Sequence, residues 1–356
     1  MNRTILVVLG TRPDAIKLAP VLRELRARDV GVYALSTGQH QELLAPLEGL
    51  LDLQLDRSLD VMRAGASLTE LHSAIVGGVD AVLGEVEPAL VVVQGDTSTA
   101  FGGALAAFYR EIPVAHVEAG LRTGSIHQPW PEEFHRQSIA RLAELHFAPT
   151  EAAAENLRRE VVGGEIWVVG TTVVDALRWL EADTNQAARS FGGRPYVLVT
   201  CHRREQAGDH FERAAKAIRE VAEARRDLDF ILPVHPNPVV RAAVDQGLEG
   251  VRNLKLVPPM PYDSFVAALR GAEAVLTDSG GVQEEASALG RPVLVMREVS
   301  DRPEAVALGG AAMVGLDPRA ILSALANPPM GDARDVFGDG NAAARIADRL
   351  ITWTHD

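Results

Sequence analysis

The sequence predicts an α/β protein built from two Rossmann-like, doubly wound domains. Short runs rich in Val and Leu alternate with longer amphipathic segments, a pattern typical of β–α units around parallel sheets. The chain has 356 residues, and domains of ~100 to 150 residues are the commonest, so the length favours two domains. We expect a first domain at 1–170, a second at 171–341, and a C-terminal helix at about 342–356 that packs back on the first.

The apolar runs fall into two sets, one for each predicted sheet. The first set is 4–10, 30–37, 89–95, 112–117, 144–150 and 165–170. The second set is 195–200, 228–234, 253–259, 273–278 and 291–296. Between the sets, residues 171–194 hold one helix-like stretch and then a polar, Gly-containing segment, which is the best candidate linker.

Helices are predicted between these strands. The segment 13–28 starts with Pro13 in the first turn, and its apolar side chains recur at helical spacing on one face. The other segments with this pattern are 67–86, 98–110, 209–226, 261–270 and 341–352. In such a fold, ligands bind at the carboxyl ends of the strands. We therefore expect a cleft between the two domains with the ligand at those ends.

The composition excludes several classes of function. With 35 Lys or Arg and 48 Asp or Glu, the formal net charge is -13, which argues against a partner that is nucleic acid or an anionic membrane. A single cysteine, Cys201, forms neither an internal disulfide nor a multi-thiolate metal site. No apolar stretch approaches the ~18 residues of a membrane span, and the N-terminus lacks a signal-peptide cleavage site. We predict a cytoplasmic protein.

No sequence motif for a metal or a nucleotide cofactor stands out. H-E-x-x-H is absent, no Walker sequence occurs, and no G-x-G-x-x-G follows the first strand. We predict that the protein uses no cofactor and no metal.

Two cations flank the start of the first helix. Arg12 suits two-pronged contact with a phosphate, whereas Lys17 supplies a compact charge. The alternative for Lys17 is a solvated helix face that shares charge with Asp14 and Glu24. Only three of the 35 basic residues are Lys, which makes a retained Lys at this point notable.

Three carboxylates in the first domain are acid–base candidates. Asp96 directly follows a predicted strand, where the alternative is that it caps the next helix. Glu118 follows another strand without a helix start, so a purely local role explains it less well. Glu132 comes after Pro131, where Glu132 and Glu133 also suit a first helical turn and Glu132 can pair with Arg136 four residues later.

The second domain offers two histidines and a glycine turn at its strand ends. His202 and His235 each end a predicted strand, and a structural histidine is the alternative for both. Cys201 lacks an orienting partner and is a poor candidate nucleophile. The turn at 278–281 suits an anion at a helix N-terminus, with a Ser-capped tight turn as the alternative. Glu285, one helical turn later, could accept from ribose hydroxyls.

Taken together, these segments resemble the non-hydrolysing UDP-N-acetylglucosamine 2-epimerase family. The matching stretches run in order along nearly the whole chain: GTRPDAIKLAPV (10–21), TGQHQELL (37–44), VVQGDTSTA (92–100), AFYREIPVAHVEAGLRTG (107–124), PWPEEFHR (129–136), TCHRRE (200–205), PVHPNP (233–238), LTDSGGVQEEA (276–286) and RPEAV (302–306).

The resemblance implies a glycosyltransferase-B-like fold and interconversion of UDP-N-acetylglucosamine and UDP-N-acetylmannosamine through 2-acetamidoglucal. It implies that Asp96, Glu118, Glu132, His202 and Lys17 are the catalytic residues. The substrate-binding residues that it implies are Arg12, His235, Phe265, Ser279, Gly280, Gly281, Glu285 and Arg302. In these roles the glycine turn binds the diphosphate and Glu285 binds the ribose. Phe265 contacts the uracil, and Arg302 lies on the sugar side. The resemblance also suggests a homodimer.

Some residues depart from the family pattern. Asp14 stands where the family usually has Glu, and His135 stands where Asn is common. Residues 65–68 lack the Gln of a stretch that many members use with an activating second substrate molecule. The alternatives left open are a 2-epimerase of a related UDP-diacetamido-uronic acid, a glycosyltransferase of the same fold, and a sugar-nucleotide sensor.

Overall fold

The computed structural model describes residues 3–63, 65–180, 191, 193–201, 209–234, 247–298, 300 and 302–355. Tertiary contacts divide the chain into two compact units, Met1–Arg178 with Gly338–Asp356 and Trp179–Phe337. The sequence analysis placed the corresponding boundaries at 170/171 and 341/342. Each unit contains one parallel sheet, so the predicted α/β class with two doubly wound domains is confirmed.

The first unit contains a seven-stranded sheet in the order β3-β2-β1-β4-β5-β6-β7. Its strands are β1 Ile5–Leu9, β2 Val32–Ser36, β3 Arg57–Ser58, β4 Leu90–Gln94, β5 Val114–Val117, β6 Leu145–Ala148 and β7 Glu165–Val168. Its helices are α1 Arg12–Ala27, α2 Gln41–Leu50, α3 Leu68–Val86, α4 Ser98–Tyr109, α5 Glu132–Leu142, α6 Glu151–Arg159, α7 Thr172–Trp179, whose last residue falls in the second unit, and the C-terminal helix Ala342–His355.

The second unit contains a six-stranded sheet in the order β10-β9-β8-β11-β12-β13. Its strands are β8 Tyr196–Thr200, β9 Asp229–Pro233, β10 Leu254–Val257, β11 Ala274–Thr277, β12 Val293–Val295 and β13 Ala311–Met313. Its described helices are Asp209–Ala224, Tyr262–Gly271, Gly280–Ala288, Pro303–Ala307 and Pro318–Ala326.

The central strands are mostly apolar because helices cover both faces of each sheet. Every residue of β1, β4 and β8 is buried, which explains why these strands read as continuous Val and Leu runs. Each of the eleven predicted runs contains a strand. The sequence analysis missed β3, which has two residues, and β13, whose Ala-Ala-Met sequence lacks β-branched residues.

The C-terminal helix belongs to the first unit and packs on α1. Asp175 of α7 accepts the backbone N–H groups of Ala342 and Ala343, at 3.3 and 2.9 Å, and so caps the start of this helix. Farther along, Asp348 pairs with Arg28 at 3.2 Å. A carboxylate more than 160 positions earlier therefore fixes where the returning helix begins.

None of the helices in the described part of the chain combines the length and the apolar composition that crossing a bilayer requires.

Candidate active site

The strand order of each sheet reverses at one point, and the candidate residues follow the strands on either side of it. In the first sheet, β1 leads outward to β2 and β3, whereas β4 leads the other way to β5. Loops diverge at such a point and leave a crevice at the carboxyl ends of the strands. Gly10 follows β1, Asp96 follows β4 by two residues, and Glu118 follows β5 directly. The topology therefore brings these three positions to one edge.

The start of α1 is held by a capping box. The Thr11 side chain accepts the Asp14 backbone N–H, while Asp14 Oδ2 accepts the N–H groups of Gly10 and Thr11, each at 3.0 Å. Pro13 occupies the first turn, as predicted. This cap sets the direction of α1, and the next turn of the helix carries Lys17.

Lys17 is buried and paired with Glu118. Its Nζ lies 2.5 Å from Glu118 Oε1, and both side chains are only 8 % exposed. Gln94, the last residue of β4, donates to the other carboxylate oxygen of Glu118. The alternative that Lys17 lies on a solvated helix face is therefore wrong.

Glu118 has an unusual backbone conformation. Its φ is +65°, in the left-handed region that favours glycine. A residue other than glycine in that region carries strain of about 1 kcal/mol or more, and such residues concentrate at functional sites. Here the conformation directs a carboxylate at Lys17 rather than continuing the strand.

Asp96 is held by α5. Arg136 Nη2 lies 2.6 Å from Asp96 Oδ2, and the Arg136 side chain is 5 % exposed. The alternative in which Asp96 caps α4 is wrong, because the N-cap residue is Thr97, whose side chain accepts the Ala100 N–H at 3.0 Å. Asp96 is thereby available for another role.

The two adjacent glutamates at the start of α5 have different surroundings. Glu133 is fully buried and accepts hydrogen bonds from Gln137 at 2.8 Å and from the Thr123 backbone at 3.2 Å. It is a structural group that ties α5 to the loop before it. Glu132 is half-buried at the N-terminus of α5. Of the pair, only Glu132 is partly exposed.

Asp14 is a buried carboxyl near this cluster. Burial raises its pKa to about 7 from an ordinary value of 3.8; the hydrogen bonds from Thr11 and Gly10 oppose this rise, and the negative charge of Asp96 adds to it. Asp14 therefore changes its charge close to neutral pH.

Gly10 allows the first loop to pack tightly. A Cβ there would overlap the hydroxyl groups of Thr37 and Thr99, which lie 2.8 Å apart. Gln39 Oε1 accepts from the Thr99 hydroxyl at 2.8 Å and links the neighbouring loop to α4. Arg12, the first residue of α1, is half-buried.

The second sheet repeats the arrangement at its own reversal point, between β8 and β11. The two strand ends are joined by a hydroxyl pair, Thr200 Oγ1 to Thr277 Oγ1 at 2.6 Å. Thr277 Oγ1 also accepts the Ser279 backbone N–H at 3.0 Å. These two hydrogen bonds fix the start of the turn that follows β11.

Ser279 occupies the N-cap position of the helix Gly280–Ala288, but its side chain makes no capping hydrogen bond. The alternative in which the Ser279 hydroxyl caps this helix is therefore wrong. A Cβ added to Gly281 would meet no atom within 4 Å. The helix N-terminus is open at this side, as an approaching anion requires.

Farther along that helix, Glu285 is fixed by a neighbour. Tyr262 donates its hydroxyl proton to Glu285 Oε1 at 2.8 Å, and Glu285 is 6 % exposed. Phe265 lies half-buried one turn beyond Tyr262 on the helix Tyr262–Gly271. The structure thus brings the helix that carries Phe265 against the helix that carries Glu285.

Arg302 makes a buried ion pair within the second unit. Its Nε lies 2.5 Å from Glu284 Oε1, and the two side chains are 6 % and 0 % exposed. Ser300 Oγ accepts the Arg302 backbone N–H at 3.0 Å and donates to Gln283 at 3.1 Å. These bonds tie the segment around Arg302 to the helix that begins at Gly280.

The surroundings of Cys201 disfavour the thiolate, which is the nucleophilic form of cysteine. Burial raises its pKa well above the ordinary value, and the Asp278 carboxylate adds to the effect. His202 and His235 lie outside the described residues. Within the described ranges, no three His, Cys, Asp or Glu side chains come together as metal ligands do.

Sequence reasoning missed the partners that orient the candidates. Gln94 and Arg136 hold the carboxylates of Glu118 and Asp96, and Tyr262 holds Glu285. Gln94 had a usable signal, since a polar residue ends an otherwise apolar run. Arg136 and Tyr262 had none, because their partners lie 40 and 23 positions away.

The chain is similar to known proteins along nearly its whole length. The pattern of the UDP-N-acetylglucosamine 2-epimerase family matches residues 23–351. A probable UDP-N-acetylglucosamine 2-epimerase of Ralstonia solanacearum is 46% identical over 99% of both chains. The UDP-N-acetylglucosamine 2-epimerase of Yersinia pestis is 43% identical over 97% of this chain and 98% of its own.

A solved structure shares the fold over nearly its entire length. The crystal structure of the Neisseria meningitidis UDP-GlcNAc 2-epimerase bound to UDP-GlcNAc has a TM-score of 0.91 and 36% identity, and the match covers 98% of this chain and all of that one. By its sequence and by its fold, this chain belongs to the UDP-N-acetylglucosamine 2-epimerase family.

Proposed function

We propose that this protein interconverts UDP-N-acetylglucosamine and UDP-N-acetylmannosamine by inverting carbon 2 of the sugar. The observation that carries the proposal is the buried Lys17–Glu118 pair at the edge where Asp96 also emerges. A module that only binds a diphosphate gains nothing from carboxylates at that point, whereas proton transfer requires them. The family and the Neisseria complex with UDP-GlcNAc support the choice of substrate.

The chemistry is an elimination followed by a re-addition. A base removes the proton from carbon 2, the C2–H electrons form the C1–C2 double bond, and the C1–O electrons leave with UDP to give 2-acetamidoglucal. UDP then attacks carbon 1 again while an acid delivers a proton to the other face of carbon 2. No electrons are gained or lost overall, and no nicotinamide or other cofactor is needed.

The hydrogen on carbon 2 is only weakly acidic, because an amide nitrogen rather than a carbonyl is attached there. Cleavage therefore depends on stabilising the departing diphosphate, and preorganised cations and N–H groups do this best. In our proposal the cations are Arg12 and Lys17. Ser279, Gly280 and Gly281 contact the diphosphate at their helix N-terminus.

Proton transfer on two faces of the ring needs an acid and a base in different positions. We assign these roles to Asp96, Glu118 and Glu132, which three different segments supply. Arg136 and Lys17 hold the first two in place. By the family resemblance, His202 binds beside the diphosphate or acts as a proton donor, and His235 binds the substrate.

The remaining binding roles concern the nucleoside and the sugar. Glu285, fixed by Tyr262, accepts from the ribose hydroxyls, and Phe265 contacts the uracil. Arg302 serves the sugar side, and its ion pair with Glu284 keeps it in place.

The test is incubation of the protein with UDP-N-acetylglucosamine in deuterium oxide, with carbon 2 followed by NMR. We expect both epimers to accumulate with deuterium at carbon 2. Retention of protium without a second epimer would refute the proposal. Acid quenching during turnover should release UDP and 2-acetamidoglucal together, which tests the elimination itself. Hydrolysis or sugar transfer to an added acceptor, without an epimer, would instead favour a glycosyltransferase.

The sequence prediction of a cytoplasmic homodimer also remains a proposal. Light scattering coupled to size-exclusion chromatography measures the mass directly. A particle of twice the 38.2 kDa chain mass is expected, and a monomer at micromolar concentration would contradict it.

A further inference from the structure

Helix α5 holds Asp96 through two consecutive residues. Arg136 contacts the carboxylate at 2.6 Å, and His135 Nδ1 lies 2.8 Å from the backbone carbonyl oxygen of the same Asp96. His135 is 2 % exposed. The side chain and the peptide of this acid–base candidate are therefore fixed separately by neighbouring positions on one helix.

A second histidine contacts the other ring nitrogen of His135. His72 Nε2 of α3 lies 3.1 Å from His135 Nε2. A carbonyl oxygen only accepts, so His135 Nδ1 must carry the proton that points at Asp96. A neutral imidazole has one such proton, so His135 Nε2 accepts and His72 Nε2 donates. His72 therefore donates to His135, and His135 donates to the Asp96 carbonyl.

The surroundings keep both rings neutral. Burial lowers the pKa of His72 to about 4, and the neighbouring His135 adds to the effect. Burial also lowers the pKa of His135, although its bond to the Asp96 carbonyl and the Asp96 charge oppose this.

The groups that face the two rings add little charge of their own. Phe101 of α4 stacks on His135 with centroids 5.1 Å apart and meets the edge of His72 at 5.4 Å. The charge that acts on His135 is that of Asp96, from the loop between β4 and α4, and Asp96 is itself paired with Arg136.

We propose that His135, oriented by His72, is a positioning residue that locks the peptide of Asp96 so that the Asp96 carboxylate keeps its place in the active site. This inference rests on the proposed function, because it gives Asp96 an acid–base role. His72 keeps the proton of His135 on Nδ1, because the His72 Nε2–H occupies the lone pair of His135 Nε2.

Two substitutions at 135 separate the hydrogen bond from packing. Asn carries its amide nitrogen at the same distance from the backbone as His Nδ1, so His135→Asn keeps a donor for the Asp96 carbonyl. His135→Leu fills similar space without a donor. We expect His135→Leu to lower kcat about 10- to 100-fold with little change in KM, as a misplaced catalytic group does. His135→Asn should retain kcat within about threefold of the native enzyme, whereas equal kcat losses in the two variants would overturn the proposal.

His72→Leu tests the second link. Without the His72 donor, nothing fixes the proton of His135 on Nδ1, so kcat should fall several-fold with little change in KM. His135→Asn has no tautomer to fix, so adding His72→Leu to it should change kcat little further. A native kcat in His72→Leu would count against the proposal.

Nitrogen-15 NMR of histidine-labelled native protein decides the tautomers without relying on activity. The two variants at 72 and 135 assign the signals. We expect His135 as the Nδ1–H form and His72 as the Nε2–H form, both neutral at pH 7. An Nε2–H form of His135 refutes the lock even if the enzyme epimerises. Failure of the native protein to epimerise refutes the proposed function, while the NMR still decides the lock.

Discussion

Lys17 Nζ and Glu118 Oε1 are 2.5 Å apart in a part of the first unit where each side chain is only 8 % exposed. The two residues are 101 positions apart in the chain. They meet because β1 and β5 end at the same edge of the sheet and because α1 is directed by the capping box at its start.

This pair predicts that Lys17→Arg lowers kcat at least about tenfold while the fold is retained. The planar guanidinium is larger than the ammonium group and requires a different geometry at a carboxylate that Gln94 also contacts. Steady-state kinetics and urea unfolding measure the two effects. Lys255→Arg is the matched control, since Lys255 pairs with Asp229 at 2.7 Å but is 39 % exposed. Native kinetics in Lys17→Arg would show that the compact charge is not required.

Asp14 predicts a pH dependence of stability. Its pKa is about 7 in the folded protein and 3.8 ordinarily, so between these values the folded state binds more protons than the unfolded state. The free energy of unfolding therefore falls as pH rises from about 4 through about 7. Asp14→Asn removes this titration, while its amide oxygen still accepts the N–H groups of Gly10 and Thr11.

The measurement is urea unfolding at pH 5 and pH 8. The native loss of stability between these two pH values should exceed that of Asp14→Asn by about 2 to 3 kcal/mol. Asp348→Asn, at a side chain that is 70 % exposed, controls for the removal of one negative charge. Equal losses in the native protein and Asp14→Asn would show that Asp14 does not titrate in this range.

We expect substitution of Ser279 to weaken binding of the UDP-sugar without changing the free energy of unfolding appreciably. Its side chain makes no capping bond, so Ser279→Ala should change the free energy of unfolding by less than about 0.5 kcal/mol and raise KM for the UDP-sugar. Asp317 caps a helix in the same unit by accepting the Arg319 N–H at 3.0 Å. Asp317→Ala should cost about 1 kcal/mol and leave KM unchanged. A KM unchanged by Ser279→Ala would remove Ser279 from the binding site.

Two glycines should respond differently to the same substitution. A Cβ at Gly281 meets nothing within 4 Å, whereas one at Gly10 overlaps Thr37 and Thr99. Gly281→Ala should keep the melting temperature and weaken UDP binding, because the added methyl group meets only the ligand. Gly10→Ala should lower the melting temperature. Calorimetry measures both quantities, and native UDP affinity in Gly281→Ala would contradict a diphosphate at this turn.

Cys201 should be dispensable for catalysis. Burial and Asp278 raise the pKa of its thiol, so little thiolate is present at neutral pH. Cys201→Ala should therefore retain kcat, and iodoacetamide should modify the native protein slowly at pH 7. Loss of turnover in Cys201→Ala, with the fold intact by circular dichroism, would reopen the nucleophile alternative.

The elements that the sequence predicted well are those buried on both faces. A strand such as β4 is apolar at all positions but its last, so its composition identifies it without any knowledge of its neighbours. The short edge strand β3 and the Ala-rich β13 carry no such requirement, and both escaped prediction. Helix caps were harder still, since Asp96 and Thr97 are adjacent and both suit an N-cap.

The sequence by itself determined the fold class, the family and the positions that follow the central strands, because burial and chain direction act along the chain. Only the tertiary structure decided which of those positions share a bond. Lys17 with Glu118, Arg136 with Asp96 and Tyr262 with Glu285 are each brought together by strand order and helix packing. The partners in each pair lie far apart in the sequence. Their attraction depends on how close the two groups lie in space and not on their separation along the chain.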